Sequence, residues 1–204
     1  MLVTYLTLTF FLVVTPGSTT AVVVRNTLSG GRSAGLAAAA GAAVANVSYA
    51  TAAGFGLAVI FARWPLALTL LRVAGAGYLA WLGLKSLYRG ATQPDGGLPI
   101  TKARADRGHT SGGFRQGLVV NLLNPSIATF YLIVVPSFLP PDPPPWYFAL
   151  LAGLHVGLAF TCHGMWAVAL DSLRRVFQPP LARRLLESAT GIALITLAAR
   201  VLAS

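Results

Sequence analysis

Two short runs hold the residues whose types and spacing could do chemistry. One is Thr15-Pro16-Gly17-Ser18, and the other is NLLNPS, Asn121 to Ser126. Each sets a proline behind a residue that can cap a helix, in the middle of an apolar stretch. Proline inside a helix removes a backbone hydrogen bond and strains the residue before it. Hydrocarbon offers no water to repair that loss. Thr15-Pro16 and Asn124-Pro125 therefore read as places where a helix stops and a new half-helix begins. The free N–H groups and positive dipole end of that half-helix point at whatever lies there. The chemistry is recognition, by hydroxyls, amides and backbone N–H groups, of a solute carrying a carboxylate. Thr15, Gly17, Ser18, Asn121, Asn124 and Ser126 are the expected lining residues, with Pro16 and Pro125 setting the breaks. A plain proline kink is the competing reading of either proline alone, and the matched pair argues against it.

A few other polar residues lie in apolar surroundings. His155 and His163 are candidate proton carriers, because histidine titrates near neutral pH and no Asp or Glu falls mid-stretch. The plainer reading of His155, between Gly153 and Gly157, is a hydrogen bond to a neighbouring helix. Asn46 is a candidate site residue, whereas Ser48 and Thr51 read as helix-packing groups. Cys162 would need a facing base to act as a nucleophile, and His163 points about 100° away on a helix. One cysteine excludes an intrachain disulfide and a CxxC metal framework. No metal site, cofactor or enzymatic activity is expected.

These residues need long apolar helices to position them. The chain has 204 residues, 55% apolar and 10% charged, where a soluble domain averages about 25% charged. The reading is an all-α integral membrane protein. Six stretches approach the ~20 residues that cross a bilayer: Leu2–Val24, Ala34–Phe61, Leu66–Tyr88, Gly117–Leu139, Trp146–Leu170 and Leu185–Leu202. The first could be a signal peptide, but no Lys or Arg precedes its apolar run, so a retained span is expected.

Charge orients them. Arg25 and Arg32 fall in the first connection, a basic cluster from Arg89 to Arg115 in the third, and Arg174, Arg175, Arg183 and Arg184 in the fifth. The second connection offers Arg63, and the fourth has no basic residue. Odd connections are thus cytoplasmic and both termini face outward. The net charge of +10 suits anionic lipid rather than nucleic acid, because it lies in clusters between apolar runs. Asp171 and Glu187 sit beside arginines at helix ends, where ion pairing and the helix dipole suit them.

Residues 89–113 are Gly-rich, polar and charged, and read as a flexible cytoplasmic linker. They divide the chain into three-helix repeats at 1–88 and 114–204. With an odd number of spans in each, the second repeat is inverted relative to the first, and the first helix of each repeat is the one broken at proline. Paired interruptions of this kind point to a transporter's binding site.

The same residues carry a resemblance. TPGS at 15–18, Arg25, GGRSAGLAAAAGAAV at 30–44, LRVAGAGYLAWLGLKSL at 71–87 and FRQGLVVNLLNPSIATFYLIVVPSF at 114–138 together resemble the LysE/RhtB family of amino-acid exporters over nearly the whole chain. The resemblance implies export of an amino acid or close derivative across the cytoplasmic membrane, driven by a proton or ion gradient without nucleotide hydrolysis. It also implies a compact six-span fold able to form a homodimer. Ser18 stands where the family usually has proline, Ser126 where lysine is frequent, and Asn46 where an acid or histidine sometimes occurs. Two alternatives stay in view: export of a metal ion or other small solute, which for a metal would need clustered ligands, and an intramembrane enzyme built on Cys162.

Overall fold

Alanine and glycine fill one face of the second apolar stretch, and that face organises the packing. In the computed structural model, which describes residues 1–15, 17–55, 65–92, 102–173 and 180–203, all regular structure is helical. Among the described residues eight helices follow in order: α1 (Leu2–Val14), α2 (Ser18–Gly30), α3 (Arg32–Gly54), α4 (Pro65–Thr92), α5 (Lys102–Leu122), α6 (Pro125–Ser137), α7 (Pro145–Leu173) and α8 (Pro180–Ala203). Of α3, the residues Ala34, Ala38, Gly41, Ala42, Ala45, Asn46 and Tyr49 are buried, a spacing of three and four that makes one helical stripe.

That stripe lies on α5, the most extensive helix pair among the described residues. The contact is backbone on backbone. A side chain added at Gly41 would strike the Phe114 carbonyl, and one added at Gly117 would strike the Ala38 carbonyl. Small residues allow such an approach, and in lipid van der Waals packing is what holds helices together. Helices α4 and α8 repeat the device at Gly83 and Gly191. Further pairs are α2 with α5, α2 with α7, and α3 with α7.

Two apolar clusters result. One joins Val22, Val23, Ala38, Leu79, Leu82, Val120 and Leu194, and the other joins Tyr5, Tyr49, Phe130, Tyr131, Val135 and Leu151. The outer surface stays apolar, with Val3, Phe11, Leu66, Leu70, Trp146 and Met165 all exposed, as a surface facing hydrocarbon requires.

Some boundaries differ from expectation. The first connection is a single residue, Gly31, at φ 83°. Only glycine takes that conformation freely, so α2 runs on to Gly30. Arg25 is therefore not a loop residue but a buried one on α2, 6% exposed. The expected linker is partly helical: α4 continues to Thr92 and α5 begins at Lys102, while residues 93–101 lie outside the described set. The end of the expected span Ala34–Phe61 lies there as well, beyond Phe55. Asp171 accepts the Arg32 backbone N–H at 3.0 Å and so caps α3; Arg174 and Arg175, its expected partners, lie outside the described residues. Glu187 accepts from the Ser86 hydroxyl, tying α8 to α4.

By length and apolarity, two described helices could cross a membrane alone, Arg32–Gly54 and Trp146–Leu173. Two bent pairs raise that to four when each pair is taken as one span: α1 with α2, bent by 49°, and Thr110–Leu122 with α6, bent by 57°. The two bends fall at the expected breaks.

Candidate functional site

The second break is built as its sequence predicts. Asn124 is the N-cap of α6 in extended conformation, Pro125 is the first helical residue, and the Asn124 side chain accepts the Ser126 N–H at 3.1 Å. Proline there costs nothing, since its missing N–H would have no partner in the first turn. On the other side of the break, the last carbonyls of α5 lack helical partners. Tyr49 supplies one, its hydroxyl donating to the Leu122 carbonyl.

The first break departs from expectation at Thr15. Thr15 is the C-cap of α1, not the N-cap of α2: its N–H and its hydroxyl both return to the Phe11 carbonyl, at 3.0 and 2.6 Å. A threonine hydroxyl can close on the carbonyl four residues back, and here that bond wins over capping forward. The N-cap is Gly17, which has no side chain to accept from the first turn of α2. Pro16 lies outside the described residues.

The two breaks touch. Asn124 Nδ2 donates to Ser18 Oγ at 3.3 Å, and Thr19 Oγ1 donates to Asn121 Oδ1 at 2.9 Å. Asn121 Nδ2 donates in turn to the Ala42 carbonyl at 2.9 Å and to Asn46 Oδ1 at 2.7 Å. Asn121 is 1% exposed and Asn46 4%, and burial of an amide is tolerable because its hydrogen bonds are made. One turn and more along α2, Gln116 of α5 accepts from Asn26 at 3.1 Å and from Arg25 at 3.3 Å. Polar contacts thus run along the α2–α5 interface.

Around the junction lies a cavity of about 390 Å³. Thr15, Gly17, Ser18, Asn46, Asn121, Asn124, Pro125, Ser126, His155 and His163 all line it. Every expected site residue that the structure describes is therefore in one wall. Further lining comes from Thr19 and Thr20 of α2, Leu12 and Val13 of α1, Ile127 of α6, Ala159 of α7, and Leu197, Arg200 and Val201 of α8. The first turn of α2 had a sequence signal, since a half-helix presents its first residues to the break. The α8 residues had none, because a long-range packing contact brings them.

The two histidines are held differently. His163 Nε2 meets Thr20 Oγ1 at 3.4 Å, and its side chain also hydrogen-bonds the Ala159 backbone. His155 is fully buried, with Nδ1 2.7 Å from the Tyr131 hydroxyl and Phe130 packed on its ring at 4.2 Å between centroids. Its Nε2 has no partner among the described residues. Tyr131 reaches it from a π-helical turn at Phe130–Val134, where the Val135 N–H bonds to the Phe130 carbonyl. Pro136 explains that turn, because it has no N–H for the carbonyl four residues back and its ring crowds it. Cys162 is half-buried and is not part of the wall. Among the described residues no three His, Cys, Asp or Glu side chains are grouped to hold a metal ion.

Apolar helices interrupted in pairs around a polar cavity are the architecture of membrane translocators. Residues 10–204 match the family described as LysE type translocator, and the chain belongs to that family. It is 30% identical to an uncharacterized membrane protein, YahN, of Escherichia coli, over 88% of this chain and 77% of that one. It is 31% identical to a leucine efflux protein of Klebsiella pneumoniae, over 67% of this chain and 62% of that one. A Bacillus subtilis membrane protein, YrhP, is 30% identical over 68% of this chain and 67% of its own. No solved structure matches the chain.

Proposed function

We propose that this translocator is a secondary exporter of a small amino acid or amino-acid derivative, working across the cytoplasmic membrane on a proton or ion gradient. The observation that carries the reading is the single cavity at which both helix breaks meet, walled by Thr15, Gly17 and Ser18 from one and by Asn121, Asn124 and Ser126 from the other. Similarity to a leucine efflux protein supports the substrate class.

In this reading the chain spans the bilayer six times, with α1–α2 and α5–α6 each a single broken span and both termini outside. Residues 1–88 and 114–204 are inverted repeats. The helix pairing supports that arrangement: α2 packs on α5, α3 on α7 and α4 on α8, so each span meets its counterpart. Asn46 joins the substrate site through Asn121. Proton coupling falls to His155 and His163, titratable groups of a wall that has no carboxylate among the described residues.

The test is efflux from preloaded cells, screened across amino acids with and without a proton uncoupler. The expected result is uncoupler-sensitive release of at least one amino acid, lost in Thr15→Val and Asn124→Leu proteins that still insert. No release above an empty-vector control overturns the reading. Replacing both histidines with Gln and finding pH-gradient-driven efflux undiminished removes them from coupling.

A further inference from the structure

The hydrogen bonds around the cavity have a fixed direction, and following them shows what the wall has left to offer. The Ala42 carbonyl can only accept, so the Asn121 group facing it is the NH₂ and Asn121 Oδ1 faces Thr19. Asn46 then accepts from Asn121 with its oxygen, and its own NH₂ ends the chain. The Ser126 N–H can only donate, so Asn124 gives its NH₂ to Ser18 and the Ser18 O–H is left to donate.

The same logic orients His155. Tyr131 is fully buried with His155 as its partner. A buried hydroxyl proton left unbonded is costly, so Tyr131 donates to Nδ1. Nε2 then carries the proton; it is buried and without a partner among the described residues, on a residue that lines the cavity. It is a donor whether the ring is neutral or charged. The N–H groups of Ser18, Thr19 and Thr20, which line the same cavity, open α2, where the first bond inside the helix is Ala21 to Gly17. The start of α2 thus offers donors.

The end of α1 is the opposite. Its last carbonyls have no following turn, and Thr15, having given its proton to Phe11, keeps only lone pairs. Acceptors thus stand across the break from donors. Between them, Ile127, Leu197 and Val201 add apolar surface. Among the described residues Arg200 is the sole charged side chain in the wall, and it is exposed, so it stands at the wall's edge.

We infer that the cavity takes a free α-amino acid as its zwitterion with an uncharged, apolar side chain, and that Arg200 turns away cationic side chains. The carboxylate lies on the first turn of α2, Ser18 and His155 Nε2, the ammonium on the end of α1 and Thr15, and the side chain against α6 and α8. This rests on the exporter reading and narrows it.

The experiment is counterflow of labelled leucine in proteoliposomes of the full chain, with competitors at tenfold excess. Unlabelled leucine should compete. Leucinamide, which lacks the carboxylate, 4-methylpentanoate, which lacks the amine, and lysine should each compete at least about tenfold less well, the size of one lost charge-assisted bond or one like-charge contact. Arg200→Glu should admit lysine and raise its counterflow above that of leucine. His155→Phe, which removes the N–H donor, should raise the leucine KM about tenfold. Leucinamide or lysine competing as well as leucine in the unaltered protein overturns the inference, even if Arg200→Glu does not fold. Lysine preference unchanged in a folded Arg200→Glu overturns the role of Arg200. Counterflow of no amino acid at all instead removes the exporter reading beneath it.

Discussion

The two helix breaks occupy corresponding places in the chain but are finished in opposite ways. At Asn124-Pro125 the free groups are taken up: the Ser126 N–H by Asn124, the Leu122 carbonyl by Tyr49, and the Asn124 NH₂ by Ser18. At Thr15-Gly17 the bonds of Thr15 run backwards to Phe11, and the first turn of α2 begins behind a glycine with no side chain to cap its N–H groups. One break is closed by the protein, and in the proposed reading the other is closed by the solute. Substitutions at the second break should therefore act mainly on stability, and those at the first mainly on transport.

The largest effect is expected at Asn121, which joins the two breaks and α3. Asn121→Leu leaves Thr19, Asn46 and the Ala42 carbonyl without their partner. At about 1–3 kcal/mol for each buried unsatisfied group, the purified protein should lose roughly 3 kcal/mol or more, read as a lowered Tm in detergent. Next is Asn124→Ala, which removes the cap of α6 and should cost about 1–2 kcal/mol by the same measurement. An unchanged Tm there would mean the second break is no better sealed than the first.

Gly17→Asn inverts the comparison by giving α2 the cap it lacks. A side chain at this position meets nothing closer than the Thr15 carbonyl at 4.0 Å, and φ is −132°, so asparagine fits. The expected outcome is a gain of a few tenths of a kcal/mol in stability with a raised KM in counterflow, because the amide now occupies N–H groups the solute would use. The smallest change in stability belongs to Thr15→Val. Thr15 is exposed and its hydroxyl serves only α1, so Tm should move by no more than the equivalent of about 0.5 kcal/mol while transport is lost. A Thr15→Val protein that unfolds early would erase the distinction.

Much of this organisation was legible in the residues. Asn124-Pro125 reads as a helix start because both residues have a defined role there, and the structure uses both. Thr15-Pro16 looks alike in sequence, yet threonine can bond backwards as easily as forwards, and local sequence does not decide between them. Arg25 was read as a loop residue because a charge ends a hydropathy window. Gln116, distant in sequence, gives it a partner across the α2–α5 interface. Residues 102–113 looked unstructured through their glycine and polar content, yet they form the start of α5. Nothing in the sequence singled out Arg200. Its place in the cavity wall depends on how α8 lies against the rest of the fold, which no spacing encodes.

The glycine crossing of α3 and α5 has a consequence for anyone mapping this protein by mutation. At Gly41 and Gly117 the obstacle is a neighbouring main chain, which cannot swing aside as a flexible side chain can. Saturation libraries should therefore be depleted of every substitution at these two positions, although neither lines the cavity. Ranking positions by intolerance would point to the hinge pin of the molecule before it pointed to the lock.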